Sequence, residues 1–290
     1  MAMDIEGLRP TVHVDAGADG RIVVADSLSY FEHAPWLNYV VVGASFAGAP
    51  TAAMAMRQGV KAWIAHEAGP GKDEAGISGL ALAQRFDVPA AAIATNEARL
   101  SGGMTLLTGH VSRCNAAAAA LGVHPGQSGD EAARLMLKAP PGKLRDFPGL
   151  IDEEMHEVAT TPQGRIYACW SFSRVDGPHP DDVFCVASHG AKVMAVYALP
   201  IRPKGVICND GGRGLDDSGI EGLAVLDTYG VAAAAVSAQS ARIGDALSTY
   251  HDGVISAANA VAAGKGVTPG MRASDAARLM LSPGKTSETA

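Results

Sequence analysis

Ser188-His189-Gly190 and Cys208-Asn209-Asp210 put a hydroxyl, an imidazole, a thiol, an amide and a carboxylate at the ends of two short apolar runs. Gln239-Ser240-Ala241-Arg242 closes a third run in the same way. Histidine and aspartate move protons, and a loop arginine grips a carboxylate with two parallel hydrogen bonds. Together these types suit proton transfer on a small anionic molecule. His189, Asp210, Asn209 and Ser188 are the candidate catalytic residues: the first two handle protons, and Asn209 or Ser188 hydrogen-bonds the reacting group. Arg242 is the expected anion clamp, with Ser240 beside it. At an offset of 143 positions stand Ser45, His66-Glu67 and Arg99, which join the candidate binding set.

Each residue also has a plainer role. A hydrolase elbow reads G-x-S-x-G, and Gly43-Ala44-Ser45-Phe46-Ala47 and Val186-Ala187-Ser188-His189-Gly190 each lack one of its glycines. A serine there also caps the next helix. Arg242 has Asp245 within reach for a structural salt bridge. The acidic residues Glu67, Asp73 and Glu74 match Asp210, Asp216 and Asp217. Asp216 and Asp217 read as helix-start carboxylates, and Ser218 with Glu221 has capping-box spacing. A divalent metal at Asp210 and Asp216 is the less favoured reading, and no cofactor is expected. The loop Gly211 to Gly219 lacks both the G-x-G-x-x-G order and the Lys-Ser/Thr of a phosphate loop. Cys208-Asn209 is similar to the Cys-Asn pairs of the aspartate/glutamate racemase superfamily. The likeness ends there: the matched residue is Ala65 and no second Cys-Thr-His motif follows, so membership is not assigned.

The elements that position these residues come from a duplication. Gly71, Gly76 and Gly79 match Gly214, Gly219 and Gly222, and Ala98-Arg99 matches Ala241-Arg242, all at 143 positions. Ala132-Ala133-Arg134-Leu135-Met136-Leu137 recurs unchanged from Ala276 at an offset of 144, and Gly20-Arg21-Ile22 recurs from Gly164. Two copies are expected, residues 1–148 and 149–290, joined near residues 140–150.

Each copy opens on a hairpin signal, around residues 16–20 and 161–164, where Gly and Pro supply turn dihedrals. Short β-branched or Ala-rich runs at 39–43, 61–65 and 90–95 alternate with helix-favouring stretches at 49–58 and 77–86. Residues 183–187, 205–208 and 232–237 repeat the strand pattern. This predicts an α/β fold: a hairpin plus a flavodoxin- or Rossmann-like parallel sheet, duplicated with pseudo-twofold symmetry. Ligands of such sheets bind beyond the carboxyl ends of the strands, where the polar residues fall.

Composition narrows the function. A net charge of −7 and no basic block argue against nucleic acid. No stretch reaches the apolar length of a membrane span, and residues 1–11 carry Asp4 and Glu6 rather than a leader's apolar run. Four cysteines without metal spacing suit a reducing, cytoplasmic setting. The expectation is a hydrolase or lyase acting on a small carboxylate or amide-like substrate between the two halves; a homo-oligomer is compatible. The alternatives are a non-catalytic ligand-binding or regulatory protein, or metal-dependent hydrolysis through Glu67, Asp73, Asp210 and Asp216.

Overall fold

The computed structural model describes residues 11–31 and 34–282. The leader expectation at the N-terminus lies outside the described residues. The chain divides into two compact units, Met1–Ile151 with Arg213–Ser218, and Asp152–Gly212 with Gly219–Ala290. The first unit contains strands β1 (Val12–Gly17), β2 (Gly20–Ala25), β3 (Tyr39–Phe46), β4 (Ala62–His66), β5 (Ala90–Ile93) and β6 (Val111–Cys114). Its helices are α1 (Ala49–Arg57), α2 (Ser78–Gln84), α3 (Gly103–Thr108), α4 (Ala116–Ala119) and α5 (Gly129–Met136). The second repeats the plan with β7 (His156–Thr161), β8 (Gly164–Cys169), β9 (Val183–His189), β10 (Gly205–Asn209), β11 (Ala232–Val236) and β12 (Ile255–Ala258). Its helices are α6 (Lys192–Ile201), α7 (Glu221–Thr228), α8 (Ala246–His251), α9 (Ala260–Gly264) and α10 (Ala273–Leu281).

Each unit is the expected α/β layer structure. Six strands lie in sequential order, with parallel pairing from the second to the fifth and an antiparallel strand at each edge. The closing antiparallel strands β6 and β12 escape the sequence pattern because they are four residues long and only partly buried. Sequential order means no reversal opens a crevice between parallel neighbours.

Both faces of each sheet are covered. Val41 and Trp63 pack with Met56 of α1 and Ala83 of α2, while Val40, Val42 and Ile64 pack with Leu106 of α3 and Met136 of α5. In the second unit Val206 and Cys208 face α6 and α7, and Ile207 faces α10. Strands buried on both sides need no polar alternation, which explains their continuous apolar runs.

The hairpins close with two-residue turns, Gly17 paired to Gly20 and Thr161 to Gly164. Gly20 (φ 127°) and Gly164 (φ 138°) are required there: an added Cβ would lie 2.4 Å from the Asn38 carbonyl oxygen or 1.9 Å from that of Asp181. The repeated lysines hold these turns. Buried Lys61 donates from Nζ to the carbonyls of Asp19 (2.5 Å) and Leu137 (2.7 Å), and Lys204 to that of Gln163 (2.9 Å). Among the described residues, no helix is long and apolar enough to cross a membrane.

Candidate functional site

The carboxyl ends of β3 and β9 are bulged. Gly43 pairs with Ala65 and then Phe46 with His66, which leaves Ala44 and Ser45 as extra residues. Cys185 pairs with Ile207 and then His189 with Asn209, so Ser188 stands in the same bulge of β9. Such bulges re-aim side chains and are common beside active sites. The extra carbonyls have a use: Ala44 accepts from the Ser101 N–H at 3.0 Å, and Ala187 from the Gly244 N–H at 2.8 Å. In each unit this pins the arginine loop against the bulge.

Next to the bulge, His66 ends β4 and Asn209 ends β10, both fully buried. Nδ1 of His66 accepts from the Ala68 N–H (2.9 Å), which puts its proton on Nε2, 3.0 Å from the Ala98 carbonyl and 3.2 Å from that of Thr95. Asn209 does the same work: Oδ1 accepts from the Gly211 N–H (2.9 Å) and Nδ2 donates to the Ala241 carbonyl (3.1 Å). Burial holds the His66 pKa below its ordinary value, against the pull of the two carbonyls. Both side chains therefore spend their polar atoms on the backbone.

The following acids are also equivalent. Glu67 Oε1 accepts from the N–H and hydroxyl of Thr95 (3.3 and 3.0 Å). Asp210 Oδ1 accepts from the N–H groups of Gly212 (3.0 Å) and Ala238 (2.9 Å), while Oδ2 takes neither bond. Thr95, whose hydroxyl also accepts from the Gly69 N–H, escaped sequence reading because its match, Ala238, offers only backbone.

The units part company at the bulge itself. The Ser45 hydroxyl accepts from the Leu28 N–H (3.0 Å) and lies 3.3 Å from Ser27 Oγ. Ser188 is half-buried, and its hydroxyl has no hydrogen-bond partner among the described residues. Beside it, buried His189 replaces Phe46, and its Nδ1 lies 3.3 Å from the Ala191 N–H that it accepts. That contact places the imidazole proton on Nε2.

Both arginines are braced by aspartates. Arg242 bonds Asp245 Oδ2 through Nε (3.2 Å) and Nη2 (3.0 Å). Arg99 Nη1 bonds Asp216 Oδ2 at 2.9 Å within the first unit, to which segment Arg213–Ser218 belongs. That segment is further fixed by Leu215 N–H on the Ala98 carbonyl and Leu100 N–H on Ser218 Oγ. Ser240 is a loop staple, donating to the Ser237 carbonyl and accepting from the Val254 N–H. In the first unit Glu97 takes that place, accepting from the N–H and Nδ1 of His110 (2.9 and 2.5 Å), which holds its carboxyl below the usual range. His110 is exposed, whereas Tyr250 lies in the core.

The capping expectation for the glycine loop is corrected. Asp216 and Asp217 lie at φ 53° and 56°, and Asp73 and Glu74 at 54° and 52°, so both copies take a left-handed turn here. Asp216 serves Arg99, and Asp217 lies 3.4 Å from Arg213. Ser218 caps no helix: α7 has Ile220 at its N-cap position and no side-chain cap, and the Ser218 hydroxyl accepts from the Leu100 N–H instead. A capping box exists instead at Ser128 and Glu131 of α5. Gly214 (φ 71°) is needed by the turn, since a Cβ would sit 2.6 Å from Ser218 Oγ.

The second unit's cysteines are inert by position. Burial pushes Cys169 up to about 12, and Cys185 and Cys208 higher still, so their nucleophilic thiolates are not formed near neutrality. Close metal-capable atoms occur at Asp152, Glu154 and His156, within 4.8 Å of one another, with both carboxylates exposed. Comparison with protein-family models, curated proteins and solved structures finds no match to this chain.

Proposed function

We propose that this chain is a small-molecule enzyme, a hydrolase or lyase for a small carboxylate or amide-like substrate, working at the carboxyl edge of the second unit's sheet. The observation that carries the reading is the unpartnered Ser188 hydroxyl beside His189, on a bulge whose counterpart in the first unit is tied to the scaffold. His189 does not act as base toward Ser188. Its Nδ1 is engaged and its Nε2 bears the proton, so it polarises a carbonyl by donating to the oxygen, as a neutral imidazole does. Asp210 Oδ2 then takes the substrate proton, Ser188 hydrogen-bonds the reacting group, and Asn209 positions the loop that carries Arg242. Arg242 holds the carboxylate, oriented by Asp245.

A panel of small carboxylates and amides, screened for turnover with wild type, Arg242→Ala and Ser188→Ala, tests this. Arg242→Ala raises KM and Ser188→Ala lowers kcat; unchanged kinetics in both overturn the assignment. One observation favours the non-catalytic alternative: most polar residues of this edge already serve the backbone. Saturable binding of a panel compound with no turnover would establish that reading instead.

A further inference from the structure

The amino ends of the second unit's parallel strands carry a different cluster. Six residue steps of β9 separate it from His189, on the order of 20 Å. A groove of about 760 Å³ opens between the hairpin turn and the Pro178–Asp182 segment, a size that holds a small ligand. On its wall His179 Nδ1 lies 2.9 Å from Asp182 Oδ2, and Asp182 Oδ1 accepts from the Arg165 N–H at 3.1 Å. Both oxygens of that carboxylate are thus occupied. The imidazole is wedged edge-to-face against Tyr167 (6.1 Å) and Phe184 (5.4 Å). Arg165 Nη1 donates to the Tyr167 hydroxyl at 2.9 Å, so the phenol's own proton is left to donate onward. The negative groups nearby are Glu157, 3.9 Å from Arg165 Nε, and exposed Asp181.

The first unit supplies a control. A groove of about 390 Å³ lies at the same place, lined by Arg21, Asn38 and Tyr39. Trp36 and Tyr39 stand where the second unit has His179 and Asp182, packed edge-to-face at 4.7 Å. In the first unit this corner closes without a His–Asp pair: aromatic packing fills it, and the Arg21 N–H bonds the Asn38 carbonyl at 3.0 Å, where the second unit's Arg165 N–H uses Asp182. The arginine–tyrosine contact is kept: Arg21 Nη1 lies 3.2 Å from the Tyr39 hydroxyl. Tyr39 comes from β3 and Tyr167 from β8, so the same contact is built from different strands.

We propose that the groove of the second unit binds a small molecule bearing an oxyanion, carboxylate or phosphate. Arg165 and Tyr167 hold the anion, and His179, oriented by Asp182, flanks it. An arginine fork beside a phenol O–H presents convergent donors to such a group.

Calorimetric titration of the full chain with inorganic phosphate and, separately, acetate, against chloride at matched ionic strength, tests the site. Saturable binding of one anion or both is expected, weakened at least tenfold by Arg165→Ala. Response to phosphate alone marks a phosphorylated ligand, and response to acetate alone a carboxylate. The H179W/D182Y variant installs the first unit's pair; it keeps the native circular dichroism and weakens binding. No saturable binding of either anion, or equal affinity in Arg165→Ala, overturns the proposal.

Discussion

His66 and Asn209 have little in common as side chains, yet each accepts one backbone N–H two residues ahead and donates to one carbonyl of the arginine loop. Ser45 and Ser188 are the same side chain on the same bulge, yet one is bonded to the scaffold and the other has no hydrogen-bond partner among the described residues. The two units thus teach opposite lessons about substitution. Where chemistry changes and geometry is kept, the residue is structural. Where chemistry is kept and the scaffold bond is absent among the described residues, as at Ser188, the side chain is free of the duty its counterpart carries.

The largest expected difference between the units is catalytic. Asp210→Asn lowers turnover by about 10²–10⁴, the contribution of a positioned proton acceptor, while Glu67→Gln changes it far less. Equal losses would mean that the units are not differentiated at this edge. The next effect is on stability. Asn209→Ala strands the buried Gly211 N–H and Ala241 carbonyl and costs about 2–4 kcal/mol, from two unsatisfied buried groups. Asn209→His recovers part of it if the two side chains are interchangeable, as urea unfolding will measure.

The same comparison has a pH signature. His66 has a folded pKa lowered by burial, so the unfolded chain binds the extra proton first. Stability is then complete above about pH 6.5, the unperturbed value, and falls as the pH drops, by at most about 1.4 kcal/mol per pH unit. His66→Asn, which installs the second unit's residue, removes that dependence; an unchanged pH profile of unfolding would show that His66 is not the neutral strut described. The smallest effect concerns reactivity. Cys169, Cys185 and Cys208 remain unmodified by a thiol reagent in the native protein and react on unfolding, as their burial and raised pKa values require.

Much of the fold was legible because hydrophobic runs and a six-residue identity repeat at offsets of 143 and 144 positions, and the α/β layers follow from that alternation. The polar residues at strand ends were legible as a set for the same reason. Their duties were not. Nothing in the letters says that an imidazole and an amide can span the same N–H and carbonyl, so His66 and Asn209 read as a functional asymmetry. Left-handed Asp216 and Asp217 read as helix caps because aspartate is favoured at caps and tolerated in αL conformations, and only the backbone separates the two. The bulge at Ser188 depends on pairing between distant strands, which no local pattern encodes.

The role of His189 is tested by the turnover of His189→Phe, which gives the second unit the first unit's residue at its bulge. The buried site already accommodates Phe46 in the equivalent place, so the variant should fold with near-native thermal stability. Its kcat on the substrate found by screening is expected to fall at least a hundredfold. A kcat equal to that of wild type would contradict that role.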